Sequence, residues 1–318
     1  MAGLAWRTEL GDRLTHAWAQ IRHGGGQVHV LLGDAGIGKS TTLSWLADHI
    51  GSAARVITCR GGELGTPMSA VIEIASLLKV STSLDWCSSD PDPMRGADVL
   101  CSALEKSSDV ALLIDDIHDA DPSSRTALNL ALRRAVLSRV LVVVTGRRVR
   151  PTSAFAEGFR VHELHGLPPG DAMEMLSGAT DAAIHPSVAR RLVEEACGNP
   201  LALSELPQAL TRDQLLGVRP LPQEIPLAGN LAAVFTHQLP PPDSAARELL
   251  DRVAVSADGS WVAIADTLAN GRLTLRHPLL RNAVLGGMTE QRRRELNMEL
   301  RRTHRCPTNS GWLIVPRV

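Results

Sequence analysis

The sequence predicts an α/β fold in which a parallel sheet is flanked by helices. In the first half of the chain, short apolar segments alternate with segments of helical periodicity, which indicates a parallel sheet with helical crossovers. A glycine-rich segment joins the first apolar segment to a helix, and a later one ends in two adjacent carboxylates. After residue 165 the pattern changes. We therefore predict an α/β domain over residues 1–165, a helical region over 166–226 and a last region over 227–318.

The predicted elements follow the spacing of the apolar residues. Strands are predicted over residues 27–32, 55–59, 110–115, 139–145 and 159–164. Helices of the first domain are predicted over residues 8–22, 39–50, 67–78, 96–106 and 123–135. Beyond it, helices are predicted over residues 171–177, 186–197, 201–210, 244–254 and 288–305, with a strand pair around 261–264 and 272–275. Asp171 is suited to the N-cap of its helix.

The glycine-rich segment, residues 33–40, has the sequence G-D-A-G-I-G-K-S. It matches the phosphate-binding pattern G-x-x-x-x-G-K-S, and it lies between a predicted strand and a predicted helix, as that pattern requires. The helix N-terminus adds a favourable dipole for an anion. Lys39 is expected to reach the β- and γ-phosphates, and the Ser40 hydroxyl to hold Mg²⁺. Contacts to the nucleotide are predicted for Gly33, Asp34, Ala35, Gly36, Ile37, Gly38, Lys39, Ser40 and Thr41.

The apolar segment that starts at Val110 ends in Asp115 and Asp116. We expect this strand to lie next to the strand of the phosphate loop, which would bring both carboxylates to the γ-phosphate. Asp115 would then orient Mg²⁺ and its water shell, and Asp116 would polarise the attacking water as a general base. For both to act, the chain must leave the sheet at this point, because successive side chains of a strand alternate sides. The alternative is a strand that ends in a solvated Asp-Asp turn.

The apolar run 140–144 is followed by Thr145, Gly146 and Arg147. A buried strand here would deliver Thr145 and Arg147 to one edge of the sheet. Either side chain could contact the γ-phosphate and respond to its loss, by a hydrogen bond or by a charge-assisted one. Solvated arginines at a strand end are the alternative for these positions.

Taken together, these motifs resemble the ATPase region of large ATP-binding transcriptional regulators of the LuxR type, in the STAND branch of the AAA+-like P-loop NTPases. The resemblance is carried by residues 33–40, 112–124, 145–147, 198–207 and 276–281. It implies ATP and Mg²⁺ as cofactors and slow hydrolysis to ADP and phosphate. It also implies that residues 166–226 form a helical lid and that residues 227–318 form a partial winged-helix-like region with a basic helix.

The resemblance assigns two more positions to the nucleotide. Pro200, in the G-N-P element, would lie against the base or ribose, and His277, in the R-H-P-L-L-R element, would lie against the diphosphate. A proline at a helix start and a structural histidine are the alternatives. The chain departs from the family pattern at Arg7, whose spacing to Glu9-Leu10 differs by one residue, so a role for Arg7 at the adenine is in doubt.

Composition excludes several classes of function. The net charge of −1 gives no indication of nucleic acid or anionic membranes as partners, and a chain with 3% aromatic residues and no tyrosine is poorly equipped to stack single-stranded bases. No leader or membrane-spanning segment is evident, so we expect a cytoplasmic protein. The cysteines lack the spacing of a disulfide framework or a zinc site. They are Cys59, Cys87, Cys101, Cys197 and Cys306.

Two functions remain open at this point. One is an ATP-dependent signalling switch that hydrolyses ATP slowly and acts on a protein partner or by self-association. The other is a non-hydrolysing module, or truncated regulator, that binds ATP or ADP and acts through a partner. Direct DNA binding is not expected, because no helix-turn-helix is evident and the arginines of residues 288–305 alternate with Glu295 and Glu299 as on a solvated helix face.

Overall fold

A computed structural model describes residues 7–59, 67–80, 91–107, 109–134, 138–148, 150–180, 182–237, 239–256, 260–261, 273–274 and 278–303. Contacts between Cα atoms divide the chain into two compact units, Met1–His165 and Gly166–Val318. Each unit is described by itself below.

The first unit is built on a five-stranded parallel sheet. The strands are β1 (Gln27–Gly33), β2 (Ala54–Thr58), β3 (Val110–Asp115), β4 (Val140–Gly146) and β5 (Arg160–Leu164). Their order across the sheet is β2-β3-β4-β1-β5. The predicted parallel α/β fold is therefore confirmed. The central strands β3 and β4 are continuous apolar runs, as is typical of strands buried on both faces, whereas the edge strands β2 and β5 are partly exposed.

Helices cover both faces of this sheet. They are α1 (Thr8–Gln20), α2 (Lys39–Ile50), α3 (Ser69–Leu77), α4 (Pro93–Lys106), α5 (Pro122–Arg134) and α6 (Arg150–Ala156). Alternate residues of β4 point to opposite faces: Val142 and Val144 pack in one apolar cluster with Leu100 of α4, whereas Val143 packs in another with Leu43 of α2. Burial of these faces holds the end of each strand in a fixed position.

Two aspartate side chains stabilise helix starts in the first unit. The Asp92 carboxylate accepts hydrogen bonds from the backbone N–H groups of Met94 and Arg95, so α4 begins at Pro93, three residues before the predicted start. Proline is favoured at the first position of a helix, where its missing N–H has no intrahelical partner to lose. Asp121 accepts bonds from the N–H groups of Ser124 and Met68 at 2.8 and 3.0 Å, so the starts of α5 and α3 are held together.

The second unit is mainly helical. Its helices are α7 (Pro169–Gly178), α8 (Pro186–Ala196), α9 (Pro200–Glu205), α10 (Arg212–Leu215), α11 (Gly229–Thr236), α12 (Ala245–Val255), α13 (Pro278–Gly286) and α14 (Glu290–Thr303). Two short strands, β6 (Ser260–Trp261) and β7 (Leu273–Thr274), pair antiparallel. An apolar cluster that includes Val253, Val284 and Leu296 holds α12, α13 and α14 together.

Two local predictions for the second unit were wrong. Asp171 is not an N-cap, because α7 begins at Pro169, after Pro168. Asp171 therefore lies in the first helical turn, where its negative charge interacts favourably with the helix dipole. The helix predicted over residues 201–210 ends at Glu205 and continues only as a 3-10 turn, Leu206–Ala209. Pro207 explains this end, since it has no N–H for an α-helical bond and its ring crowds the preceding turn.

Candidate functional site

The glycine-rich loop joins the end of β1 to the start of α2. Gly36 and Gly38 have φ angles of 74° and 97°, which lie in the left-handed region that glycine adopts without a steric penalty. Gly33 has no room for a side chain, because a Cβ atom there would lie 2.8 Å from Cγ2 of Ile37 and 3.0 Å from the carbonyl oxygen of Leu164. No described side chain caps the N-terminus of α2. The loop therefore offers the backbone curl and the helix terminus that suit a phosphate group.

Lys39 is the first residue of α2 and is 6% exposed. Its ammonium donates to the carbonyl oxygens of Gly33 and Asp34 at 3.0 and 2.9 Å. Burial lowers the pKa of Lys39, and Asp116 and Asp115 oppose this effect by favouring the charged form. An ammonium has three donors, so within the described residues the third donor remains for a phosphate oxygen.

Arg7 supports the same loop from outside. Its guanidinium donates to the carbonyl oxygen of Ile37 at 3.0 Å and to that of His165 at 2.8 Å, and burial lowers its pKa. The structure thus gives Arg7 a contact with the loop backbone. Sequence reasoning missed this role, since no motif indicates that residues 7, 37 and 165 lie together.

The two predicted acids lie at the end of β3. Asp115 is buried, at 8% exposure, and the hydroxyl of Thr145 donates to its Oδ1 atom. Asp116 has φ 53° and ψ 51°, a left-handed conformation that is uncommon for a residue with a side chain. Its backbone N–H donates to Oγ1 of Thr145 at 2.9 Å. The chain therefore leaves the sheet at Asp116, which is the condition under which both carboxylates can serve one site.

The position of the acid strand differs from the prediction in one respect. We expected β3 to lie next to β1, but β4 lies between them. Apolar strands such as these do not reveal their order, because both faces of each are buried. The consequence concerns Thr145, the penultimate residue of β4, whose hydroxyl donates to the carboxylate of Asp115 and accepts from the backbone N–H of Asp116. Thr145 therefore connects the acid pair to the strand adjacent to the phosphate loop.

The electrostatics also connect the loop, the acids and Arg147. Burial raises the pKa of Asp116, and Asp115 raises it further, whereas Lys39 and Arg147 lower it. Arg147 is half-buried and follows Gly146, where a Cβ atom would lie 2.5 Å from Cγ2 of Thr152. Gly146 is thus required by close packing at the strand end. The structure brings Lys39, both acids and Arg147 into one electrostatically coupled group.

His118 is a residue of this group that sequence reasoning missed as a functional candidate. It lies in the 3-10 turn Ile117–Asp119 that follows the acids. Nδ1 of the ring is 3.7 Å from Oδ1 of Asp116, and Nε2 is 3.6 Å from Oδ1 of Asp119. The three-residue separation from Asp115 along the chain gives no indication that the ring is buried against the acid pair.

Of the two remaining predicted contacts, one belongs to the second unit and the other falls outside the described residues. Pro200 is the first residue of α9 in the second unit, and Asn199 caps that helix by accepting from the N–H groups of Leu201 and Ala202. Gly198, with φ 69°, is required because a Cβ atom would meet the backbone of Leu167 at 2.4 Å. Helix initiation accounts for this element without a ligand. His277 lies outside the residues that the structure describes.

The residues present fit ATP with Mg²⁺. Within the described residues, no group of three or more His, Cys, Asp or Glu side chains could hold a metal ion alone. Mg²⁺ takes one or two protein ligands and completes its shell with phosphate oxygens and water. Ser40, at the exposed start of α2, and Asp115 are the residues that would hold it. Of the described helices, none is long and apolar enough to cross a membrane.

Part of the first unit is similar to a known domain family. Residues 4–144 match the AAA ATPase domain family, so the first unit carries an AAA-type ATPase domain of the P-loop class. No curated protein matches the sequence. Solved structures are similar at 15–18% identity. A variant of Thermotoga maritima RuvB is 18% identical over 67% of this chain and 63% of its own, with a TM-score of 0.43.

Two further solved structures show a comparable similarity. A signal transduction ATPase with numerous domains (STAND) from Pyrococcus horikoshii, which has a tetratricopeptide repeat sensor, is 16% identical over 92% of this chain, with a TM-score of 0.41. The alignment spans 45% of that protein. PCH-2 of C. elegans is 15% identical over 65% of this chain and 63% of its own, with a TM-score of 0.42.

Proposed function

We propose that this chain is an ATP-binding regulatory ATPase, a nucleotide-dependent switch related to the LuxR-type regulators. In this proposal it hydrolyses ATP slowly in the cytoplasm and acts through a protein partner or by self-association. The observation that carries the proposal is the connection of the acid pair to the phosphate loop. The Thr145 hydroxyl donates to the carboxylate of Asp115 and accepts from the backbone N–H of Asp116. Burial and Arg147 lower the pKa of Lys39, whereas Asp116 and Asp115 raise it.

The proposed roles follow from these positions. Lys39 and the N–H groups of the loop bind the phosphates. Bound Mg²⁺ would neutralise charge on the β- and γ-phosphates, and Ser40 and Asp115 hold it there. Thr145 keeps Asp115 in place through its hydroxyl. The raised pKa of Asp116 strengthens it as a proton acceptor for the attacking water. Arg147 supplies positive charge for the transferred phosphoryl group.

The switch itself is proposed to involve the second unit. We propose that residues 166–226 act as a helical lid and residues 227–318 as a winged-helix-like region, with Pro200 and His277 contacting the nucleotide. A ligand shifts a conformational equilibrium only by its differential contacts with the two states. The γ-phosphate supplies such contacts at the site, and slow hydrolysis gives a partner time to respond to the ATP-bound state.

Binding of ATP to wild type and to a Lys39→Ala variant tests the proposal. The variant loses the buried ammonium, and we expect its affinity for ATP to fall at least about 100-fold, since truncating a buried charged contact costs about 3 kcal/mol or more. Lys106→Ala is the matched control, because Lys106 is exposed at the end of α4. Equal ATP affinity in wild type and Lys39→Ala would refute the assigned site.

A non-hydrolysing module is the second candidate. The carboxylate of Asp115 already accepts a hydrogen bond from Thr145, which also accepts from the backbone N–H of Asp116. Such a preformed site suits retention of a nucleotide as well as turnover. Purified protein that holds ADP tightly and shows no phosphate release in a single-turnover assay would favour this candidate over the switch.

A further inference from the structure

The side chain of His118 is buried, with no hydrogen-bond partner among the residues that the structure describes. It is 8% exposed, and within that part of the chain both ring nitrogens lack a partner and are shielded from solvent. Buried polar atoms in folded proteins are nearly always paired, so each exception calls for an explanation. Its position beside the acid pair indicates a role in that site.

The ring is aimed between two carboxylates. Nδ1 is 3.7 Å from Asp116 and Nε2 is 3.6 Å from Asp119, and both separations exceed a hydrogen bond by less than 1 Å. A small rotation of either carboxylate would therefore close one bond. Burial, with the charges of Arg147 and Lys39, lowers the pKa of His118 to about 4, although Asp119 opposes this. At neutral pH the ring has a single N–H, so it can donate to one carboxylate only.

Asp116 is the carboxylate that gains more from this donor. It is 32% exposed, whereas Asp119 is 49% exposed and correspondingly better hydrated. The backbone of Asp116 is fixed, because its N–H bonds to Thr145. The remaining freedom of Asp116 is therefore rotation of its side chain. A donor at Nδ1 of His118 is placed to remove that freedom.

We propose that His118 is a positioning residue that donates from Nδ1 to the carboxylate of Asp116 and holds it towards the attacking water. This inference rests on the proposed function, in which Asp116 accepts a proton from water. His118 contacts neither nucleotide nor water in this scheme. Its contribution is orientation, and misplacement of a reacting group by about 1 Å can lower a rate about 100-fold.

Three substitutions distinguish the contributions of the two ring nitrogens of His118. The amide of His118→Asn places a donor where Nδ1 lies, the amide of His118→Gln places one where Nε2 lies, and His118→Ala removes both. We expect His118→Asn to keep kcat within about threefold of wild type, and the Gln and Ala variants to lose about 10- to 100-fold. KM for ATP is expected to stay within about twofold, because orientation affects only the chemical step. Asp119→Asn is the matched control and keeps the wild-type kcat.

The outcomes are distinct from those that test the proposed function. If wild type turns over ATP and all three His118 variants lose the same factor, or if His118→Gln rescues kcat and His118→Asn does not, the inference is wrong while the ATPase stands. If wild type binds ATP and shows no turnover, the hydrolytic function fails and the inference with it. Thermal unfolding of each variant shows whether a loss of kcat reflects loss of folded protein, and rescue by His118→Asn alone excludes a packing role.

Discussion

His29 is expected to make the first unit lose stability as the pH falls below about 6.5. This residue of β1 is 3% exposed. Its Nδ1 lies 2.8 Å from Nε2 of His162 on β5, and the two rings stack with an interplanar angle of 7°. Burial, together with the charges of His162 and Arg160, lowers the pKa of His29 from 6.5 to about 4. His29 is therefore neutral in the folded protein at pH values where it is protonated in the unfolded chain.

The sign and size of the effect follow from proton linkage. Between pH 6.5 and 4 the unfolded chain binds more protons at His29 than the folded chain, so acidification favours unfolding. With folded and unfolded pKa values of about 4 and 6.5, the loss at pH 5 relative to pH 7.5 is about 2 kcal/mol. The loss of stability is absent at pH values well above the pKa of His29 in the unfolded chain. It reaches about 3 kcal/mol below pH 4.

Urea unfolding of wild type and His29→Gln at pH 7.5 and 5.0 measures this loss. Pulse hydrogen exchange of peptides from β1 (Gln27–Gly33) reports the unfolding of the first unit specifically. Between pH 7.5 and 5.0, we expect the free energy of unfolding of wild type to fall by about 2 kcal/mol more than that of His29→Gln. The glutamine keeps a polar side chain that does not bind a proton in this range. His23→Gln is the matched control, since His23 is exposed. Equal pH dependence in wild type and His29→Gln would refute the reasoning.

Three further substitutions test the site. Gly146→Ala would place Cβ 2.5 Å from Thr152, and we expect a loss of about 1–3 kcal/mol in the free energy of unfolding, measured with urea. Thr145→Val removes the hydroxyl that bonds to Asp115, and we expect ATP turnover to fall about 10- to 100-fold, since an unsatisfied buried group costs about 1–3 kcal/mol. Arg7→Ala releases the loop backbone, and we expect calorimetry to show ATP affinity weakened about 5- to 10-fold.

Matched controls exist for each of these variants. Gly170→Ala adds a Cβ that meets nothing within 4 Å, so it is expected to be neutral. Thr126→Val removes an exposed hydroxyl, and Arg13→Ala removes an exposed guanidinium. If a control and its partner variant change the measured quantity equally, the structural explanation for that position is wrong.

The strands and the phosphate loop could be predicted because their signals are local. Val110–Asp115 and Val140–Gly146 are continuous apolar runs, and the loop combines glycines and Lys39 at a fixed spacing. Helix α6 (Arg150–Ala156) was not predicted, since Pro151 and a length of seven residues leave no measurable periodicity. For helix α13 (Pro278–Gly286), the sequence indicates only the R-H-P-L-L-R element, because nine residues are too few to show a helical period.

The arrangement of the site depended on contacts between distant residues. The sequence indicated that Thr145 and the acids lie at one edge of the sheet, but not that Thr145 bonds to both acids. That contact follows from the order of the strands, with β4 between β3 and β1. The contact of Arg7 with His165 spans 158 residues, and the burial of His118 depends on how the turn after Asp116 packs. Pattern and spacing carry no information on such contacts.

The central claim is that this chain binds ATP at the loop that ends in Lys39 and hydrolyses it with the help of Asp116. A single-turnover assay on purified full-length protein tests it most directly, with wild type and Asp116→Asn loaded with γ-labelled ATP and Mg²⁺. We predict that both proteins bind ATP, that wild type releases phosphate slowly, and that Asp116→Asn releases it at least about 100-fold more slowly. Phosphate release at the same rate by both proteins, or no ATP bound to wild type, would contradict the account.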